Sequence, residues 1–458
     1  MRLDPPAPSF REALRVWAEI GLNSFGGPAG QIAVMHRVLV EERKWVSERR
    51  FLHALNYCML LPGPEAQQLA TYIGWLLHGA RGGIAAGVFF VVPGFVAILA
   101  LSLLYVSAAD VNIVAALLFG LKAAVLAVVA EAVARIGRRV LRTRTHVVLA
   151  VLAFVALFFF DLPFPLVIAM AAAIGLGTSA VAPELLGLAP AGLVRSEDDG
   201  VVDAILERRA EAHVDTSFAR LLRVLAVGLG LWLGPIAVLW LWRGRGDVFV
   251  EQALFFSKAA VVTFGGAYAV LAYIAQQAVE HYHWLAPGQM LDGLGMAETT
   301  PGPLIMVVQF VAFLGAFRAS LGIDPMLAGV LGSILTTWVT FVPCFLWIFA
   351  GAPWVERLRA DERLAGALSA ISASVVGVIL NLGLWLAVHV LFGSVRSADG
   401  PLGIRLLVPD LASLDVVATA IAAAALVALV RFHARVPTTL LACAAVGAAY
   451  RSWIAPQG

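Results

Sequence analysis

Apolar runs of eighteen or more residues recur along this 458-residue chain, and that recurrence limits the fold before any motif is read. About 20 apolar residues in a helix cross the roughly 30 Å hydrocarbon core of a bilayer. The chain is 61% hydrophobic and 14% charged, with a mean hydropathy of +0.88, whereas soluble domains carry about 25% charged residues. The pattern predicts an all-α polytopic membrane protein of roughly 10–13 membrane segments, with the lipid bilayer as its solvent. The ten-residue alternation of a transmembrane β-barrel is missing. The start, MRLDPPAPSFREALR, lacks the basic flank, apolar core and small-residue cleavage site of a signal peptide, so insertion is expected to rely on the spans themselves. The expected location is the cell's inner (plasma) membrane, crossed many times.

Composition excludes several functions. A net charge of +2 without a basic, aromatic-interleaved tract predicts no nucleic-acid partner. Cys58, Cys344 and Cys443 are far apart in apolar context, which suggests neither a disulfide framework nor a thiolate metal site. His281 and His283 form an H-Y-H pattern without a companion ligand or i,i+4 spacing, so no metal is expected there. No G-x-x-x-x-G-K-[ST] loop is present, so the protein is not expected to hydrolyse ATP itself, and no cofactor is expected. No catalytic constellation suggests an enzyme.

The chain is written twice. SFGGPAGQIAVMHRVLVEERKW aligns with TFGGAYAVLAYIAQQAVEHYHW at an offset of 239, pairing Phe25 with Phe264, Glu41 with Glu280 and Trp45 with Trp284. The same offset pairs Pro62-Gly63-Pro64 with Pro301-Gly302-Pro303. At an offset of 250, Pro93 meets Pro343, and VLAVVAE (125–131) meets VVGVILN (375–381). Residues 1–180 are read as the first copy and 246–458 as the second. Between them, 181–245 combines a polar linker with one unpaired span at about 221–242. The loop RRVLRTRTH (138–146) carries four arginines and is placed in the cytoplasm. The linker then returns to the cytoplasm, the unpaired span carries the chain outside, and the second copy begins inverted. Such inverted repeats are common in secondary transporters.

Both copies interrupt their own apolar stretches with helix breakers, which cost about 1 kcal/mol for glycine and about 3 kcal/mol for proline relative to alanine. Backbone released from helical pairing at membrane depth is tolerated where it is buried in protein or lines a cavity. Pro28 and Pro64 each follow a glycine and suit the first turn of a new half-helix. A half-helix start presents unpaired N–H groups and the positive dipole end to an anion, and Gly26, Gly27 and Gly63 let it approach the backbone. The ordinary alternative is that such residues only kink or pack helices. Ser24, Phe25, Gly26, Gly27, Gln31, Asn56, Pro62, Gly63, Pro64, Gln67 and Gln68 are the first-copy substrate candidates, with Thr71 beside them. Thr263, Gly265, Gly266, Pro301, Gly302 and Pro303 are their second-copy counterparts.

Four charged residues are candidates for charge balance or coupling: Glu65, Lys122, Lys258 and Glu298. Glu65 is equally explained as a helix-start acid, although its counterpart is Leu304. Lys122 and Lys258 can balance a dianion, snorkel or pair with an acid. Lys258 aligns with Glu19, which suggests an asymmetric charge pair. Arg37, Glu41, Arg43 and Lys44 read as an interfacial face.

The run FGGPAGQIAVMHRVLVEERKWVSERRFLHALNYCMLLPGPEAQQLATYIGWLLHG (25–79) resembles the signature region of the chromate ion transporter family, long-chain type. TFGGAYAVLAYIAQQAVEHYHWL followed by AETTPGPL resembles that family's C-terminal half. The resemblance implies two homologous halves, inverted relative to each other, that export chromate from the cytoplasm as a secondary carrier. Proton coupling through Glu65 or Glu298 is a further expectation. A carrier of sulfate or another oxyanion, a passive anion channel and a membrane enzyme are the alternatives, and a homodimer is left open. Pro28, Gln31 and Glu65 become Ala267, Val270 and Leu304 in the second copy, so any site is expected to be asymmetric.

Overall fold

A computed structural model describes residues 8–25, 27–107, 112–187, 217–263, 267–319, 321–355, 362–399 and 405–451. Within these the first copy supplies α1 (Phe10–Asn23), α2 (Gly27–His36), α3 (Glu48–Leu60), α4 (Glu65–Ser107), α5 (Asn112–Val140), α6 (Arg144–Phe158) and α7 (Phe164–Val181). The unpaired span is α8 (Phe218–Arg243). The second copy supplies α9 (Val248–Val262), α10 (Ala267–Gln276), α11 (Pro287–Thr299), α12 (Val307–Arg318), α13 (Pro325–Val355), α14 (Glu362–Leu391), α15 (Val416–Arg431) and α16 (Val436–Ala449). Among the described residues six helices, α4, α5, α7, α8, α13 and α14, are long and apolar enough to cross a membrane, and shorter apolar helices accompany them. The chain is an all-α polytopic membrane protein. The polar runs RSEDDG and LERRAEAH of the linker lie outside the described residues.

Local chemistry sets the helix ends. Ser9, Ser47, Thr143 and Ser217 cap α1, α3, α6 and α8 by accepting an N–H from the first turn, and Asp247 and Asp415 do the same for α9 and α15. Helix α4 is two arms. His78 and Gly79 leave helical geometry, with Gly79 at φ +64, and the chain doubles back so that Gly74 meets Gly82 and Thr71 meets Gly83 and Gly87. The second copy makes the same hairpin from α12 and α13, where Gly329 meets Phe313 and Gly332 meets Ala312 and Ala316.

The tip between α2 and α3 also recurs between α10 and α11. Each passes through a π-helical turn, Arg37–Glu42 or Gln277–His281. Each then places one non-glycine residue in the left-handed region, Lys44 at φ +53 or His283 at φ +55. Trp45 N–H donates to the Leu39 carbonyl and Trp284 N–H to the Ala278 carbonyl, both at 2.8 Å. A left-handed non-glycine residue costs about 1–2 kcal/mol, so its repetition at one aligned position reflects a shared local structure. Arg37, Glu41, Arg43 and Lys44 are exposed on the first tip, in keeping with an interfacial face.

The described chain forms two compact units that cut across the sequence copies. One holds α1 to α3, α4 as far as Leu99, α8, α9, α12 and α13. The other holds α4 from Ala100, α5 to α7, α10 from Tyr268, α11 and α14 to α16. In the first unit, the second arm of α4 and its counterpart α13 lie antiparallel, with Gly83 against Phe349 and Gly87 against Phe345. In the second unit, α5 and its counterpart α14 also lie antiparallel, with Val129 beside Gly383 and Gly137 beside Val376. Equivalent helices running in opposite directions are what inversion of one copy requires. In the same unit α5 packs on α15 and α16, while α14 packs on α6 and α7. Small residues permit these approaches: Gly120 meets Cys443 and Gly447, and Gly175 meets Gly366 and Ala370.

Between α14 and α15, where the sequence suggests only a loop, strands β1 (Val395–Asp399) and β2 (Arg405–Pro409) pair antiparallel from Val395↔Pro409 to Asp399↔Arg405. Their backbone groups pair with each other and not with the spans.

Candidate functional site

In the first unit each helix break of one copy crosses the other break of the opposite copy. Gly63 N–H donates to the Thr263 carbonyl at 2.8 Å, and Gly302 N–H donates to the Ser24 carbonyl at 2.9 Å. These two bonds are equivalents under the 239-residue offset. The hydroxyls repeat as well: Ser24 Oγ donates to the Ile20 carbonyl and Thr263 Oγ1 to the Ala259 carbonyl, both at 2.6 Å. Gly63 at φ +125 and Gly302 at φ +99 occupy backbone conformations that favour glycine. This differs from the expectation that their N–H groups face an anion, because both are spent on joining the copies. A carbonyl left buried without its donor would cost about 1–3 kcal/mol, which explains why the breaks interlock.

The side chains do not repeat. Gln31 Nε2 donates to the Gly302 carbonyl at 2.7 Å and braces the second break; Val270 stands at the matching position. Gln68 Nε2 donates to the Pro62 carbonyl at 2.8 Å and also borders Gly63. Gln67 Nε2 donates to Thr71 Oγ1, and that hydroxyl donates to the Gln67 carbonyl, each at 3.0 Å. Gln31, Gln67, Gln68 and Thr71 are all buried, but Oε1 of Gln67 and of Gln68 has no hydrogen-bond partner. The same unit buries further unpaired polar atoms: Oε1 of Gln252 and Gln309, and Oγ1 of Thr336 and Thr340. Unpaired buried groups cost about 1–3 kcal/mol each, so such a collection belongs to a polar passage and not to a packing core.

Pro64 and Pro303 immediately precede the new helical turns, which start at Glu65 and Leu304. Glu65 is half-buried. Phe25 is exposed beside the first break. Gly26, Gly265 and Gly266 lie outside the described residues, and of Asn56 only its place in α3 is described. Lys258 is exposed on α9, and Glu19, which alignment places opposite it, lies 3.9 Å from Arg43. The Glu19–Arg43 contact lies within the first copy, where α2 turns back through its π-helical tip and brings Arg43 to α1.

The second unit gathers the remaining charged candidates. Lys122 Nζ lies 3.2 Å from Asp292 Oδ2, which also accepts from Tyr105 Oη at 3.0 Å. Glu298 is buried and accepts from Tyr268 Oη. Asp292 was not among the residues singled out from the sequence, although an acid six residues before Glu298 in PGQMLDGLGMAE was the available signal. Cys344 and Gly94, which border Gly63 and Gly302, carried no local signal at all. A cavity of about 260 Å³ in this unit is lined by Asp161, Gln276, Glu280, Asn381 and Trp385. Its two carboxylates give it the wrong sign for an oxyanion.

The profile of the chromate transporter family matches residues 11–176 and 250–448. A chromate transport protein of Pseudomonas aeruginosa is 32% identical over 380 residues, 82% of this chain and 80% of that protein. A probable chromate transport protein of Synechococcus elongatus is 26% identical over 382 residues, 82% of this chain and 86% of that protein. A chromate transport protein of Cupriavidus metallidurans is 25% identical over 402 residues, 83% of this chain and 84% of that protein. No solved structure matches. With both copies matched by the profile, the chain belongs to the chromate transporter family.

Proposed function

We propose that this protein is a secondary carrier that moves chromate, a tetrahedral dianion, out of the cytoplasm by alternating access between its inverted copies. The observation that carries this reading is the reciprocal crossing of the four helix breaks. It is supported by the first turn of α4, whose leading N–H groups have no intrahelical acceptor, and by the amides of Gln67 and Gln68 beside it, whose Oε1 atoms have no partner. Rotating the Gln67 amide about its last bond, with the single Thr71 hydroxyl hydrogen swung from the Gln67 carbonyl to Oε1, turns Nε2 outward as a donor. The pair thus offers an anion a donor without a fixed charge. Names of the relatives support chromate as the substrate.

Reconstituted flux tests the reading. Purified protein in proteoliposomes is expected to give saturable chromate uptake that an imposed gradient drives uphill and that unlabelled sulfate inhibits by competition. Flux that rises linearly with concentration and never runs uphill would point to a channel instead. Chromium that emerges reduced would point to an enzyme.

A further inference from the structure

In the second unit, α11 lies on α5 through one narrow face. Gly288, Asp292 and Gly295 recur along it at helical spacing. Leu121 packs on Gly295, and Gly288 leaves room for the ammonium of Lys122, whose Nζ would stand 3.2 Å from a Cβ built there. Asp292 is 1% exposed and Lys122 29% exposed in their side chains. Both contacts to Asp292, from Lys122 and from Tyr105, go to Oδ2; Oδ1 is buried and has no partner. A carboxylate in this arrangement can take a proton on Oδ1 without breaking a hydrogen bond. Doing so neutralises it and removes the attraction that holds Lys122. Nine residues further along the chain stands Pro301, the start of the second break.

We infer that Asp292 is the proton-carrying group that couples transport to a proton gradient, its ion pair with Lys122 acting as the releasable tie between α11 and α5. This rests on the carrier reading above and differs from coupling through Glu65 or Glu298. A proton from one aqueous face adds to Oδ1, converting carboxylate to carboxylic acid. The ammonium of Lys122 loses its counter-charge and the grip of α11 on α5 weakens. Loss of the proton to the other face restores the carboxylate and the tie. Intramembrane acids that face a cation are the usual elements of such relays. Glu298 is arranged differently: it accepts from the neutral Tyr268 hydroxyl, and Arg135, the cation that acts on it, is 3.2 Å from Glu131. The first copy places another titratable residue, His53, at the position matching Asp292.

The other ionisable groups around α11 are few. From α5 come Glu131 and Arg135, paired with each other at 3.2 Å, and from the end of α4 comes Tyr105. On α11 and α10 stand Glu298 and Tyr268. Helix α16 brings Cys443, and beyond its end Tyr450 stacks on Phe119 while Arg451 lies over that ring. Among the described side chains of α14, the ionisable one is His389, which hydrogen-bonds the Trp385 carbonyl.

The test compares the wild type, Asp292→Asn and the charge-neutral double variant Lys122→Gln/Asp292→Asn as full-length protein in proteoliposomes. Two quantities are read with chromate: accumulation driven by a pH gradient, and chromate–chromate exchange at equal pH. Both variants are expected to lose driven accumulation at least about tenfold, while exchange stays within about threefold and loses its pH dependence. The double variant carries the result if the single one fails to fold, because it leaves no unpaired buried charge. Driven accumulation at wild-type level in either folded variant overturns the inference. So does a parallel fall of accumulation and exchange in the double variant, which would make the pair structural. Wild-type protein that moves no chromate in either mode overturns the carrier reading, and this coupling with it.

Discussion

At the first crossing Gly63 is bounded by the ends of side chains: a Cβ built there would meet Gln68 Nε2 at 2.8 Å and Cys344 Sγ at 2.9 Å. At the second, Gly302 is bounded by backbone, and its Cβ would meet Gly94 Cα at 2.8 Å and Gly94 N at 3.0 Å. Gly94 and Cys344 occupy the same aligned place, so one duplicated scaffold has been closed by glycine on one side and opened to side chains on the other. The backbone bonds survive duplication because both copies need their breaks satisfied at membrane depth. The side chains around them were free to diverge: Gln31, Gln67, Gln68 and Thr71 of the first copy are matched by Val270, Met306, Val307 and Phe310 in the second.

The sharpest way to break this comparison is at the two glycines. Gly302→Ala is expected to suffer twice, from a backbone conformation costing about 1–3 kcal/mol and from overpacking costing ~1–3 kcal/mol more. Gly63→Ala should pay chiefly the first, because Gln68 can move. Thermal unfolding of the detergent-solubilised proteins measures the gap, and equal losses would show that the two crossings are equivalent after all.

A milder pair follows from their neighbours. Gly94→Ala places a methyl 2.8 Å from the Pro301 carbonyl oxygen and is expected to destabilise by about 1–3 kcal/mol. Cys344→Ala, at the matching position, should stay within about 1 kcal/mol. The same unfolding assay reads both, and a larger loss for Cys344→Ala would reverse the assignment.

The smallest stability effects separate bracing from binding. Gln31→Val copies Val270 and strands the Gly302 carbonyl by removing its side-chain donor, at a cost of about 1–3 kcal/mol. Gln67→Leu keeps the Thr71 hydroxyl on the backbone carbonyl of residue 67 and removes an unpaired oxygen, so its stability should change by less than about 1 kcal/mol. Chromate flux is nonetheless expected to fall at least about tenfold in Gln67→Leu. Unchanged flux there would remove Gln67 from the proposed substrate path.

Much of the fold was legible because hydropathy and helix breakers act locally. The unpaired span expected at about 221–242 corresponds to α8. The site was legible in outline only. Pro62-Gly63-Pro64 and Pro301-Gly302-Pro303 announce themselves, but nothing near them says that their glycine N–H groups are donated 200 and 278 residues away. Asp292 was passed over because a single acid in an apolar helix looks the same whether it faces lipid, water or a lysine.

The membrane, the duplication and the position of each break are written locally, since apolar run length and glycine or proline placement act on the residues around them. The reciprocal interlock of the breaks, the bracing of the opposite copy by Gln31 and the tie of Lys122 to Asp292 emerge with the folded chain. The reason is that each of these is a pairing between residues 170 to 280 positions apart. Inversion of one copy brings such residues together by folding direction, a property that no local stretch of sequence encodes.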